Sequence, residues 1–228
     1  MTRFSISDLE EFSGVKAHTI RVWERRYGLL APDRTDTNIR TYGLDELKTI
    51  LNVAFLNRHG LKISKIAALS PAERDREVRE LAERTGSIEG ALDNLKVAMV
   101  TYDLDLFERT SSGYLKEHGF RDLMERLYVP LLEHIGLLWQ SNAICPAQEH
   151  FISNLVRQNL IAAIDGLKTV IQPGEVCNVL YLPENEIHEL GLLYLQYLLR
   201  AKGEHVVFLG QSVPAADLEQ LAVQFTGP

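Results

Sequence analysis

The apolar period of this chain changes once, at Pro173-Gly174, and that change limits the fold more than any other feature. Before it, apolar residues recur at helical spacing. After it, a run of strand length, Val176 to Leu182, is followed by a helical segment, Glu189 to Lys202, a second short strand, His205 to Leu209, and a last helix, Pro214 to Phe225, with proline at its start. Strand, helix, strand, helix is the beginning of a doubly wound parallel sheet. The expected fold class is mainly α, closing on an incomplete α/β Rossmann-like domain that stops at Thr226-Gly227-Pro228, where a third strand is due.

The helical part divides further. Ile6, Leu9 and Phe12 mark a first helix, with Ser5 and Asp8 as its capping pair and Ser13-Gly14 as its end; a second runs from about Lys16 to Tyr27 and stops at Gly28. Two short helices across a Ser-Gly turn make a helix-turn-helix. Leu29 to Tyr42 reads as a loop or a small β-wing, and Asp45 to Phe55 and Ile63 to Leu69 resume the helical period. The charged stretch Glu73 to Arg84 is either the last helix of this head or a linker helix. Ile88–Tyr102, Asp105–Lys116, Phe120–Trp139 and Pro146–Val170 then suit an antiparallel four-helix bundle, with breaks at Asp103, at His118-Gly119 and across Gln140 to Cys145, and with Pro130 placed to kink the third helix. The expected domains are 1–72, a DNA-binding head; 73–86, a linker; 87–171, the bundle; and 172–228, the first half of an α/β domain.

Charge is distributed to match. The whole chain carries 24 Lys and Arg against 31 Asp and Glu, net −7, but residues 14–66 are net +5 and the residues after 75 are net −9. A basic head on an acidic body fits separate partners for separate domains. Cys145 and Cys177 lie in no disulfide or zinc pattern, the N-terminus has no signal-peptide pattern, and the densest apolar segment, Leu190 to Leu199, is too short to span a bilayer. A cytoplasmic protein without a membrane partner is expected, and no nucleophile-base pair or phosphate loop suggests an enzyme.

In the second helix His18, Arg21 and Arg25 share one stripe while Ile20, Trp23 and Tyr27 share a neighbouring one, so one face can be buried and another can offer cations. Lys16, Thr19, Arg26 and, in the following loop, Arg34, Asn38, Arg40 and Tyr42 add phosphate donors. On charge alone a solvated basic helix explains the pattern equally well. The order of residues goes further. Phe4-Ser5-Ile6, Gly14-Val15, Thr19-Ile20-Arg21-Val22-Trp23-Glu24-Arg25-Arg26-Tyr27-Gly28-Leu29-Leu30, Pro32, Arg34 and Asn38-Ile39-Arg40-Thr41-Tyr42 resemble the N-terminal winged helix-turn-helix of MerR-type transcriptional regulators over roughly residues 3–70. Val22-Trp23, in place of the two tyrosines of common members, resembles the CarH/LitR-like branch. The resemblance implies a double-stranded DNA operator as partner, with Arg21, Arg40 and Tyr42 at the DNA backbone.

Two patterns mark the acidic body. Glu186-Ile187-His188-Glu189-Leu190-Gly191 falls on the loop between the first strand and its helix, at the end of the sheet where such folds bind ligands. Glu186 is placed to hold the far ring nitrogen of His188 and fix its tautomer, and Gly191 lets a bulky group approach; a histidine capping an ordinary helix is the plainer alternative. The pattern resembles the Asp-x-His-x-x-Gly motif of cobalamin-binding domains, with Glu186 for Asp, which implies His188 as the lower axial cobalt ligand. The second is Trp139, nine residues, then Glu149-His150, all at one end of the bundle; a tryptophan finishing a core stripe and a glutamate favouring a helix N-terminus explain each piece separately. The spacing resembles the Trp-x9-Glu-His motif of CarH-like photoreceptors, which implies that these residues cover the upper, adenosyl face of the cofactor.

The resemblance implies a repressor that binds its operator as a homodimer or homotetramer with adenosylcobalamin bound and lets go in light. Gln140 stands where light-responsive relatives carry a second histidine, and the Ser-x-Leu and Gly-Gly elements of the nucleotide-tail pocket belong to later strands than this sequence holds. The alternatives are a MerR-type regulator without cobalamin and a corrinoid carrier related to methionine synthase.

Overall fold

The computed structural model describes residues 3–35, 37–85, 88–141, 143–167 and 176–218. The Pro173-Gly174 break, the expected helix end at Val170, residues 219–225 of the last helix and the terminal Thr226-Gly227-Pro228 lie outside these. The chain divides into two compact units, Met1–Ile152 and Ser153–Pro228.

The first unit opens with α1, Ile6–Ser13, capped by a reciprocal pair: the Ser5 hydroxyl accepts from the Asp8 N–H and the Asp8 carboxylate accepts from the Ser5 N–H at 2.6 Å. Gly14, at φ 70, ends it in the left-handed conformation that glycine tolerates. The second helix, α2, is Ala17–Tyr27, and the wing is a two-stranded antiparallel sheet, β1 Asp33–Arg34 against β2 Arg40–Thr41. Helices α3, Leu44–Arg58, and α4, Ile63–Ala68, complete the expected order. Their core is Phe4, Leu9, Phe12, Ile20, Leu47, Ile50, Leu51 and Phe55, all at most 1% exposed. Each such side chain contributes about 1.5–3 kcal/mol by leaving water.

Glu73–Arg84 belongs to a helix, α5, Pro71–Thr85, which packs on α3 and buries Val78 and Leu81. Next come α6, Ile88–Thr101, and α7, Leu104–Asp122. The break expected at His118-Gly119 is a kink, Gly119 at φ 81, within α7. Phe120–Trp139 is helical throughout, but a π-helical turn, Leu123–Tyr128, interrupts the α-helical period before α8, Val129–Gln140, and the Val129 N–H reaches five residues back to the Met124 carbonyl. Pro130 sits in the first turn of α8 directly after the π-helical turn, so the irregular turn and the proline, which has no N–H to donate to the preceding turn, fall together in one helical run.

Helix α9, Pro146–Asp165, starts in the first unit and ends in the second, five residues short of the expected Val170. The second unit also holds β3, Cys177–Pro183, α10, Leu190–Ala201, and β4, His205–Val213. The strands pair in parallel, Cys177 opposite His205 and Leu180 opposite Phe208, and then lose regular register around Gly210, at φ 81. Strand β4 runs four residues beyond the expected Leu209, and helix resumes over 215–218. Among the described residues the architecture is mainly helical with two small sheets, and no helix is long and apolar enough to cross a membrane.

Candidate nucleic-acid interface and cofactor site

The recognition helix presents its cations as the spacing predicts. Ile20 and Trp23 are buried in the head core, while Lys16, His18, Arg21, Arg25 and Arg26 are exposed, with Thr19 half-buried. Lys16 precedes the helix and pairs with Glu10 at 2.8 Å; the other Glu10 oxygen accepts from the Ala17 N–H, an N-terminal cap supplied from α1. Both contacts hold the Glu10 carboxyl below the usual carboxylate range, the Lys16 hydrogen bond being the larger cause. Arg26 lies 5.5 Å over the Tyr27 ring.

The wing residues divide. Arg34 is exposed and its Nη1 donates to Asn38 Oδ1 at 2.6 Å, closing the turn in which Asn38 takes φ 64. Arg40 is half-buried and Tyr42 is fully buried: Arg40 Nε and the Tyr42 hydroxyl both donate to the Glu24 carboxylate, each at 3.0 Å. Burial and the neighbouring Glu24 push the Tyr42 phenol up to about 12. Tyr42 therefore fastens the wing from inside, its hydroxyl engaged by Glu24.

At the end of α8 the Trp139 ring is 47% exposed, a large cost in water for a side chain that could have finished the core stripe instead. Gln140 beside it is exposed. Ser141 and residues 143–145 lie between α8 and α9, and the buried Gln148 holds the start of α9 by accepting from the Cys145 N–H at 3.0 Å and reaching the Val100 carbonyl. This places Glu149 and His150 in the first turn of α9, with His150 Nδ1 2.7 Å from Glu149 Oε2. Cys145 and Cys177 are free thiols.

In the second unit the loop between β3 and α10 is held by the end of β4. The Ser212 N–H donates to the Glu186 carbonyl, the Asn185 N–H to the Ser212 hydroxyl, and the Gln211 amide to the Ile187 carbonyl. Glu186 Oε1 accepts the His188 N–H and lies 2.7 Å from its Nδ1. These contacts, the backbone one first, hold the Glu186 carboxyl below its ordinary value. The His188 side chain is 88% exposed, and with Nδ1 engaged its Nε2 is the nitrogen left for a ligand. A Cβ at Gly191 would meet nothing within 4 Å, so protein packing does not require glycine there and the space beside α10 is open. An exposed imidazole with its tautomer fixed and an open surface beside it fits the axial ligand set of a corrinoid.

Sequence reasoning passed over several residues that build these sites: Glu24, Glu10, the Gln211-Ser212 end of β4, and Glu189, whose buried carboxylate pairs with Arg157 and anchors the start of α10 to α9. Of these only Ser212 carried a local signal, its closeness to the strand end, and its contact with the loop depends on the parallel pairing.

The family model of MerR HTH family regulatory proteins matches residues 4–73, and that of the B12 binding domain matches residues 91–164. The transcriptional repressor CarH of Myxococcus xanthus is 31% identical over 94% of this chain and 73% of its own length. The repressor CarA of the same organism is 33% identical over 96% of this chain and 72% of its own length. The regulator MlrA of Escherichia coli is 30% identical over 58% of this chain and 51% of its own length. The winged helix-turn-helix, the helices that follow it and this coverage place the chain in the family of MerR-type transcriptional regulators with a B12 binding domain, the family of the CarH and CarA repressors, whose members are not enzymes.

Proposed function

We propose that this protein is a DNA-binding transcriptional repressor whose hold on a double-stranded operator is set by cobalamin, in its adenosyl form. The observation that carries the reading is His188, an exposed imidazole whose Nδ1 is held by Glu186 in a family with a B12 binding domain. His188 would hold the cobalt through Nε2, with Gly191 leaving room beside it, and Trp139, Glu149 and His150 are the residues of the helical region that would bind the cofactor. When bound, cobalamin supplies a cobalt-carbon bond that light can break. The strand–helix–strand order of β3, α10 and β4 is that of a Rossmann-like cobalamin domain, and the helices matched by the B12 binding model form a four-helix bundle.

Lys16, His18, Thr19, Arg21, Arg25, Arg26, Arg34 and Arg40 contact DNA, with the start of α2 at base edges and the arginines at phosphates. A homodimer or homotetramer in the cytoplasm is the assembly this function needs, because paired heads read paired half-sites. Gln140 has no imidazole to offer cobalt, so a light state with two histidine ligands is not expected. The test is absorbance: adenosylcobalamin mixed with the chain in the dark shifts its spectrum as histidine replaces its own base. Equal shift and affinity with His188→Ala would sink the reading.

A further inference from the structure

The recognition helix carries one acidic side chain on a surface otherwise arranged for phosphates, and that side chain is already engaged. Glu24 has a side-chain exposure of 12%; its Oε1 accepts from Arg40 Nε and its Oε2 from the Tyr42 hydroxyl, each at 3.0 Å. Arg40 lies on β2, paired with Arg34 of β1, and Tyr42 follows directly. Phe4 and Tyr42 exchange backbone hydrogen bonds at 2.9 Å, so the base of the wing is already tied to the front of the head. Glu24 is the α2 side chain that bridges the recognition helix to the wing.

We propose that Glu24 is a positioning residue for DNA binding: it holds Arg40 by Nε so that the two terminal amino groups of the guanidinium face a phosphate beside the recognition helix. The argument rests on the DNA-binding reading above. A guanidinium is a rigid planar fork, so a carboxylate fixed on Nε fixes the direction of the remaining donors, which a flexible ammonium does not allow. Arg40 keeps 31% side-chain exposure, and its terminal nitrogens have no partner among the described residues. Tyr42 saturates the second carboxylate oxygen, which prevents Glu24 from swinging to Arg21 or Arg25 on its own helix. The buried tyrosine thus orients the carboxylate, the carboxylate orients the arginine, and only the arginine meets DNA.

The sign of one substitution tests this. A bystander carboxylate beside phosphates repels them, so Glu24→Gln should tighten binding. A positioning carboxylate gives the opposite: Glu24→Gln weakens binding of the full chain to a random-sequence duplex by about threefold to tenfold, and lowers the slope of log affinity against log salt by about one, the loss of one phosphate contact. Arg40→Gln does the same, and the double variant is no worse than Arg40→Gln. Should Glu24→Gln unfold at the assay temperature, Arg40→Lys, on the half-exposed wing, is the second test: charge is kept and the fork lost, and the same drop in slope is expected. Glu24→Gln binding as tightly as the unaltered chain or more so, or Arg40→Lys keeping the full slope, overturns the proposal. An unaltered chain that shows no salt-sensitive DNA binding overturns both this proposal and the reading beneath it.

Discussion

Asp93 Oδ2 lies 2.8 Å from Arg58 Nη2, and through that contact the last turn of a head helix, α3, is fastened to α6. The same carboxylate accepts from Lys96 Nζ at 3.1 Å, while Arg58 donates to the Ser13 carbonyl and Lys96 to the Phe12 carbonyl. The carbonyls left open at the end of α1 are thus closed by two cations, and Asp93 pairs with both. A second tie, from the Ser141 hydroxyl to Glu11, joins α1 to the end of α8 two residues past Trp139.

Removing the centre of this cluster leaves two cations facing each other. Asp93→Ala is expected to destabilise the chain by about 1–3 kcal/mol, less than a fully buried pair because Arg58 is half in water. Denaturant unfolding measures the loss, and Arg58→Gln in the same background restores part of it by removing one of the unpaired charges.

His134 predicts a pH dependence. Burial, with Lys96 as a second cause, pushes its imidazole down to about 4, and its Nε2 is buried with no hydrogen-bond partner among the described residues. The unfolded chain takes up a proton near the ordinary histidine value of about 6.5 while the folded chain refuses it, so stability present above that value is lost as pH falls toward 4. The expected loss is on the order of 1–2 kcal/mol. His134→Phe removes this component, and the difference between the two chains' urea midpoints at pH 7 and pH 5 reads it directly.

The cations of the recognition helix should act through phosphates rather than sequence. Arg25→Gln weakens binding to any duplex by a similar factor and lowers the salt slope by about one. A substitution near the start of α2, such as Thr19→Ala, instead changes preference among duplexes, which competition with mixed sequences detects.

Glu186→Gln keeps the shape of the loop but removes the carboxylate that fixes the His188 tautomer. Cobalamin affinity is expected to fall by about tenfold to a hundredfold, followed as the titration of the absorbance shift.

Elements with a repeating pattern were legible in the sequence: Ile20 and Trp23 against the exposed arginines of α2, the Ser5–Asp8 cap, the Gly119 break, and the Glu186–His188 pair two residues apart. What stayed hidden depends on residues far apart in the chain. Glu11 and Ser141 are 130 positions from each other and Arg58 and Asp93 are 35, so no local period announces either contact. The partner of Tyr42 was hidden in the same way, since Glu24 lies on the preceding helix and no local period links the two. The π-helical turn before Pro130 was likewise invisible, since the apolar stripe continues through it.

The most direct test of the account is the affinity of the full chain for operator DNA in the dark, with and without adenosylcobalamin, beside His188→Ala. Binding at least about fivefold tighter with the cofactor is expected, within the usual range of coupling between two sites, and His188→Ala should lose that difference while keeping its cofactor-free affinity. Equal DNA affinity with and without cobalamin that is demonstrably bound would contradict it.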